Sequence, residues 1–156
     1  MAIALTLREY LDGRAIGYDV LTHRRTTNST RTAHASHVAG DSLAKAVVLK
    51  GDEGYLLAVV PASCTVRIDD VCDLLERPVS LATEDDIRTL FADCEFGAVP
   101  ALGSAYGLET IIDERLERPG DIYFEAGDHQ TLIHLTQQQF TGLTWNAYRG
   151  HISKRM

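Results

Sequence analysis

Three stretches of this 156-residue chain carry side chains whose types and spacing suit holding a carbonyl or a phosphate. The first is Lys45, which enters the apolar run Ala46-Val47-Val48-Leu49. A lysine in such a run must carry its ammonium to water, to an anion or to a partner acid. The second is Phe96-Gly97-Ala98-Val99-Pro100-Ala101-Leu102-Gly103. Its glycines permit tight turns and Pro100 stiffens it, so its backbone N–H groups can be aimed at a bound oxygen. A plain connection would read the same way. The third is Ala126-Gly127-Asp128-His129 between two predicted strands, suited either to acid–base work or to a hairpin turn. His34 and His37, three apart on a predicted helix, have a spacing that could hold a metal, but no nearby acid or thiol completes a set. P-loop, dinucleotide-fingerprint, H-E-x-x-H and G-x-S-x-G patterns are absent.

The elements that must position these residues alternate in type. Thr6-Leu7-Arg8-Glu9 fits a capping box for a first helix that Gly13 ends. Tyr18 to His23 reads as a strand, and Thr32 to Leu43 as an alanine-rich helix. Ala46–Leu49 and Tyr55–Val60, joined by Gly51-Asp52-Glu53-Gly54, form a hairpin whose apolar strands should be covered on both faces. Ile68 to Leu75 has helical spacing and Val79–Leu81 is a short strand. A further helix starts at Thr83 and runs to about Phe91. Strands follow at 109–113, 121–125 and 131–135, and a last helix at 137–143. This pattern predicts an α+β single domain with a mixed, curved, barrel-like sheet flanked by short helices.

Composition bounds the function. The length suits one domain spanning 1–156 with its core at about 18–143, and 45% hydrophobic residues are ordinary for a globular chain. No apolar run approaches the ~18 residues of a membrane span, and the N-terminus lacks a signal-peptide pattern. The expectation is a cytoplasmic protein with no membrane or DNA partner and with Cys64, Cys72 and Cys94 as free thiols. The net charge of −7 disfavours a general nucleic-acid binder. The distribution is uneven, however. Residues 1–50 hold seven Lys/Arg against four Asp/Glu, residues 51–140 five against eighteen, and residues 141–156 three against none. A fold that joins the two ends would present a basic face to a phosphate backbone.

Taken in order, the motifs resemble the YbaK and prolyl-tRNA-synthetase-associated editing domains. The stretches are Ala44–Lys50, Gly54–Ala62, Gly97–Gly103, the strand ending at Asp113-Glu114, and Ala126–His129. The resemblance covers roughly residues 18–143. It implies a metal-independent hydrolase without cofactor that removes a non-cognate amino acid from a tRNA 3′ end, most often a smaller one from tRNA for proline. Lys45 would match the family's lysine, and His129 is the second candidate for catalysis. Tyr18, His23, Gly97, Ala98, Val99, Pro100, Gly103, Gly127 and Asp128 would line the substrate pocket. Two departures stand out. The Gly97-to-Pro100 spacing is one residue short of the family's usual G-x-x-x-P, and Asp128 stands where the family often has serine. A synthetase is a further partner that the resemblance allows. The other readings are a non-catalytic module binding tRNA or an aminoacyl ligand, and a metal-dependent hydrolase using His34 and His37.

Overall fold

The computed structural model describes residues 3–26 and 28–156. In chain order the elements are α1 (Leu5–Gly13), β1 (Asp19–Thr22), α2 (Ser29–Ser36), β2 (Leu43–Gly51), β3 (Gly54–Pro61), β4 (Cys64–Val66), α3 (Ile68–Leu75) and β5 (Val79–Leu81). They continue with α4 (Glu84–Leu90), β6 (Glu109–Asp113), β7 (Asp121–Glu125), β8 (Thr131–Thr136), α5 (Gln137–Leu143), β9 (Tyr148–Gly150) and β10 (Ser153–Arg155). The result is the expected α+β domain built on a mixed sheet. The strand order is β1-β8-β7-β2-β3-β6-β9, with β5 also paired to β2. Among the described residues the ladder ends at β1 and β9 and does not close on itself. β4 and β10 form a separate two-stranded ribbon.

The hairpin β2–β3 is the spine. It pairs in unbroken register from Ala44↔Pro61 to Gly51↔Gly54. Residues Leu56 to Pro61 are all buried, because helices lie on both sheet faces. One face packs Ala44, Val48, Leu57, Val59 and Phe124 against α1, α5 and the 98–102 segment. The other face carries two smaller clusters. Leu49, Val60 and Ile111 pack on α3 through Val71, and Leu43 and Leu132 pack on α2 through Ala33. Each fully buried aliphatic side chain here contributes roughly 1.5–3 kcal/mol.

Two local expectations change. The Thr6–Glu9 capping box does not form: the N-cap is Ala4, without a side-chain cap, and Thr6 N–H is taken at 2.8 Å by Asp93 Oδ2 from 87 residues away. A tertiary acceptor has displaced the local one. The alanine-rich helix does not run from Thr32 to Leu43. Asn28 caps it at its start, and His37 ends it in the left-handed conformation at φ 59°. A 3-10 turn at Gly40–Ser42 then leads into β2, so Leu43 is a strand residue. The helix expected to start at Thr83 does so, and Thr83 and Asp86 form a capping box there. The short strands β4, β9 and β10 lie outside the segments expected from periodicity.

Candidate active site

β2 is interrupted along one edge, and the site forms at the interruption. β7 pairs with it only at Leu43↔Tyr123 and Ala44↔Phe124, and β5 joins at Leu49↔Leu81. Residues 45–47 therefore lie where one neighbour has left and the next has not begun. A cleft of about 230 Å³ opens there, walled by Ala46, Val48, Ala82, Phe96, Gly97 and Val99. Lys45 precedes its wall. Along β2, Leu43 faces the α2 cluster and Leu49 the α3 cluster. Strand alternation puts Lys45 between them on the same face. It is half-buried, and among the described residues no carboxylate lies within ion-pair distance of its amine. Burial pulls the ammonium pKa below its ordinary value, while the Cys64 thiol opposes that shift.

The two glycine-bearing loops meet beside this edge. Glu95 N–H donates to Gly127 O at 2.7 Å. His129 Nε2 lies 2.6 Å from Phe96 O. A carbonyl only accepts, so Nε2 carries the hydrogen. His129 adopts φ 61°, a left-handed conformation uncommon for histidine, and Gly97 sits at φ 85°. A Cβ at Gly97 would lie 3.2 Å from His129 Cε1, so glycine permits this approach. Arg25 ties the outside together. It pairs with Glu95, and its Nη1 donates to Asp128 O at 3.4 Å.

The expected pocket residues separate into groups. Lys45, Gly97 and Val99 lie at or next to the cleft, with His129 behind Gly97. Ala98 and Pro100 are buried in the segment beyond it. Asp128 organises its own turn: its carboxylate accepts from Gln130 N–H at 3.0 Å and from Thr131 N–H at 2.8 Å and Oγ1–H at 3.0 Å. Gly127, at φ 120°, leaves room for Ala4, whose Cβ would be 3.0 Å from an added methyl. Gly103 serves packing, since a Cβ there would meet Thr110 Oγ1 at 2.1 Å. Tyr18 sits at the rim of the main core. Burial raises its hydroxyl pKa, with Asp12 adding to the shift and Arg8 opposing it. His34 lies in α2 and His37 ends it, and among the described residues no three His, Cys, Asp or Glu side chains converge to hold a metal. The three cysteines are unpaired. Burial pushes the Cys94 thiol up to about 12, which leaves it a poor nucleophile.

Sequence reasoning did not single out Glu125. Its carboxyl is buried between two imidazoles, with Oε1 3.7 Å from His23 Nε2 and Oε2 3.6 Å from His129 Nδ1. Burial, reinforced by Asp128 and Glu95, pushes its pKa up to about 8. The available signal was an acid closing the apolar strand Ile122-Tyr123-Phe124, directly before Ala126-Gly127.

Lys45, with no carboxylate within ion-pair distance among the described residues, thus stands at a notched strand edge beside two clasped glycine loops and a small, mostly apolar cleft. The comparisons agree in fold and family. Residues 23–143 match the aminoacyl-tRNA editing domain model, and the chain belongs to that family. A solved structure described as a "putative trans-editing enzyme for prolyl tRNA synthetase" is 22% identical, with a TM-score of 0.85, covering 99% of this chain and 98% of that one. A second, of a hypothetical protein, is 19% identical with a TM-score of 0.83, covering 96% and 99%. No curated protein matches the chain by sequence.

Proposed function

We propose that the chain is an aminoacyl-tRNA deacylase, hydrolysing the ester between a small non-cognate amino acid and the tRNA 3′ end, with tRNA for proline as first candidate. The observation that carries this reading is Lys45: a half-buried cation without a carboxylate partner among the described residues, next to a small cleft, in a chain of the editing-domain family. The cleft's 230 Å³ falls below the ~300 Å³ at which ordinary ligand sites begin, which suits an aminoacyl group and not a whole nucleotide.

In this reading the aminoacyl group enters at the notched edge of β2, where Val47, on the Lys45 face of the strand, joins Ala46, Gly97 and Val99 in the cleft wall. Lys45 holds the carbonyl side of the ester or the adjoining phosphate as a fixed charge. Backbone N–H groups of the Gly97 loop face the developing oxyanion, where one donor is typically worth about 10²–10³ in rate. His129 is poorly placed to be a general base, because Nε2 is bound to Phe96 O and Nδ1 faces Glu125. The terminal ribose hydroxyl is then the group that positions water, and His129 holds the loop. One methylene in an apolar pocket is worth only ~1–3 kcal/mol, so a larger cognate residue must be excluded sterically.

The test is hydrolysis of a panel of mischarged tRNAs, with Lys45→Ala as control. We expect turnover for a small non-cognate amino acid and its loss in a Lys45→Ala protein that keeps its circular dichroism. Undiminished turnover in the variant would remove Lys45 from the mechanism. Binding of tRNA with no turnover across the panel would make the chain a binding module.

A further inference from the structure

Two imidazoles and one carboxyl meet in a space that bulk water does not reach. The side chains of His23, Glu125 and His129 are 0%, 6% and 7% exposed, and they face one another in two pairs, His23–Glu125 and Glu125–His129. His23 Nε2, Glu125 Oε1 and His129 Nδ1 are each buried without a hydrogen bond. The outer nitrogens settle where the ring hydrogens are. His23 Nδ1 lies 2.6 Å from Arg24 O, and His129 Nε2 lies 2.6 Å from Phe96 O. Both outer nitrogens must donate, so both neutral rings turn a lone pair toward Glu125.

An ionised Glu125 would set lone pair against lone pair on both sides. One proton on the carboxyl relieves this repulsion and leaves the cluster neutral. The Asp128 and Glu95 carboxylates favour a proton on Glu125, while Arg25, paired with Glu95, and the Lys45 ammonium, on the same sheet face one rung beyond the last β2–β7 pair, oppose it. We propose that Glu125 is the positioning residue of His129: by holding a proton between the two imidazoles it fixes the His129 ring on Phe96 O, and through it the Phe96–Gly97 wall of the cleft. As pH rises and Glu125 loses its proton, the inner contacts turn repulsive and the clasp loosens.

This inference rests on the deacylase reading for its kinetic arm, but its first readout does not need activity. Nitrogen-15 NMR of the full chain at neutral pH should show hydrogen on Nε2 of neutral His129 and on Nδ1 of neutral His23. The opposite tautomer on either ring overturns the proposal, whatever the enzyme does. In the kinetic arm, kcat of the wild type should fall on the alkaline side. Glu125→Gln, whose amide resembles the neutral acid and does not ionise, should keep kcat near neutrality and lose that alkaline fall. Glu125→Ala should lower kcat, by up to about 100-fold if the wall is misplaced by an ångström. An alkaline fall that survives unchanged in Glu125→Gln also overturns the proposal. Absence of turnover in the wild type would sink the deacylase reading alone, and the tautomers would still decide the role of Glu125.

Discussion

Gly97 shows how a single residue joins the two loops. At φ 85° a side chain is strained, and a Cβ would lie 3.2 Å from His129 Cε1, so the ring would have to give way by a few tenths of an ångström. Gly97→Ala should cost roughly 1–2 kcal/mol for the left-handed conformation alone, and the displaced ring should release Phe96 O. Urea unfolding measures the first effect, and the deacylation rate the second. Wild-type stability with wild-type rate would show that the loop yields freely. Asp128 behaves differently. Its three hydrogen bonds within the turn give the acid that replaces the family's serine a structural task. Asp–His adjacency in the sequence suggested acid–base chemistry, yet the partner that meets His129 is Glu125, four residues earlier and across the turn.

Among the elements, α1 depends on a distant acceptor. Asp93 accepts from Thr6 N–H at 2.8 Å and from Tyr106 Oη–H at 2.9 Å, so one carboxylate ties α1 to the segment that carries the Gly97 loop. Burial raises its pKa and these hydrogen bonds lower it, with a net shift downward. Asp93→Ala should destabilise the protein by about 0.5–2 kcal/mol, the cost of a lost helix cap. Amide exchange should quicken in residues 5–8 before it does in β3. Uniform protection along α1 in the variant would mean that the packing of Leu7 and Leu11 suffices. The periodic elements α3, β5, β6, β7 and α5 were legible in the sequence because each has its own apolar rhythm or cap. α1's cap and the end of α2 were not. The first is made by a residue far along the chain, and the second by a left-handed histidine that propensity does not foresee.

At the scale of the whole molecule, the fold brings the basic C-terminus to the start of β2. β10 pairs with β4, Met156 N–H donates to Ser63 O, and Arg155 and Arg118 both pair with Asp41, two residues before Leu43. Arg155 and Ser63 bonding hold the Asp41 carboxyl at about 2, so this anchor stays ionised down to strongly acid pH. Cys64 links the patch to Lys45: Arg115 Nη1 lies 3.7 Å from its Sγ, and the thiol acts on the lysine. If this face receives the tRNA backbone, replacing Arg118 and Arg155 with alanine should weaken tRNA binding across sequences and flatten its salt dependence by about one unit per lost phosphate contact. Filter binding across a salt series checks this, and an unchanged slope would place the backbone elsewhere.

The sequence by itself determined the class of fold, most element positions, the family and the prominence of Lys45. Those rest on local apolar periodicity and on motif order, which are properties of contiguous residues. Only the tertiary structure decided the notch in β2, the clasp of His129 on Phe96 O, and the burial of Glu125 between His23 and His129. Each depends on residues distant along the chain being packed together away from water, where pairing, protonation and exposure are set by neighbours that no local pattern names.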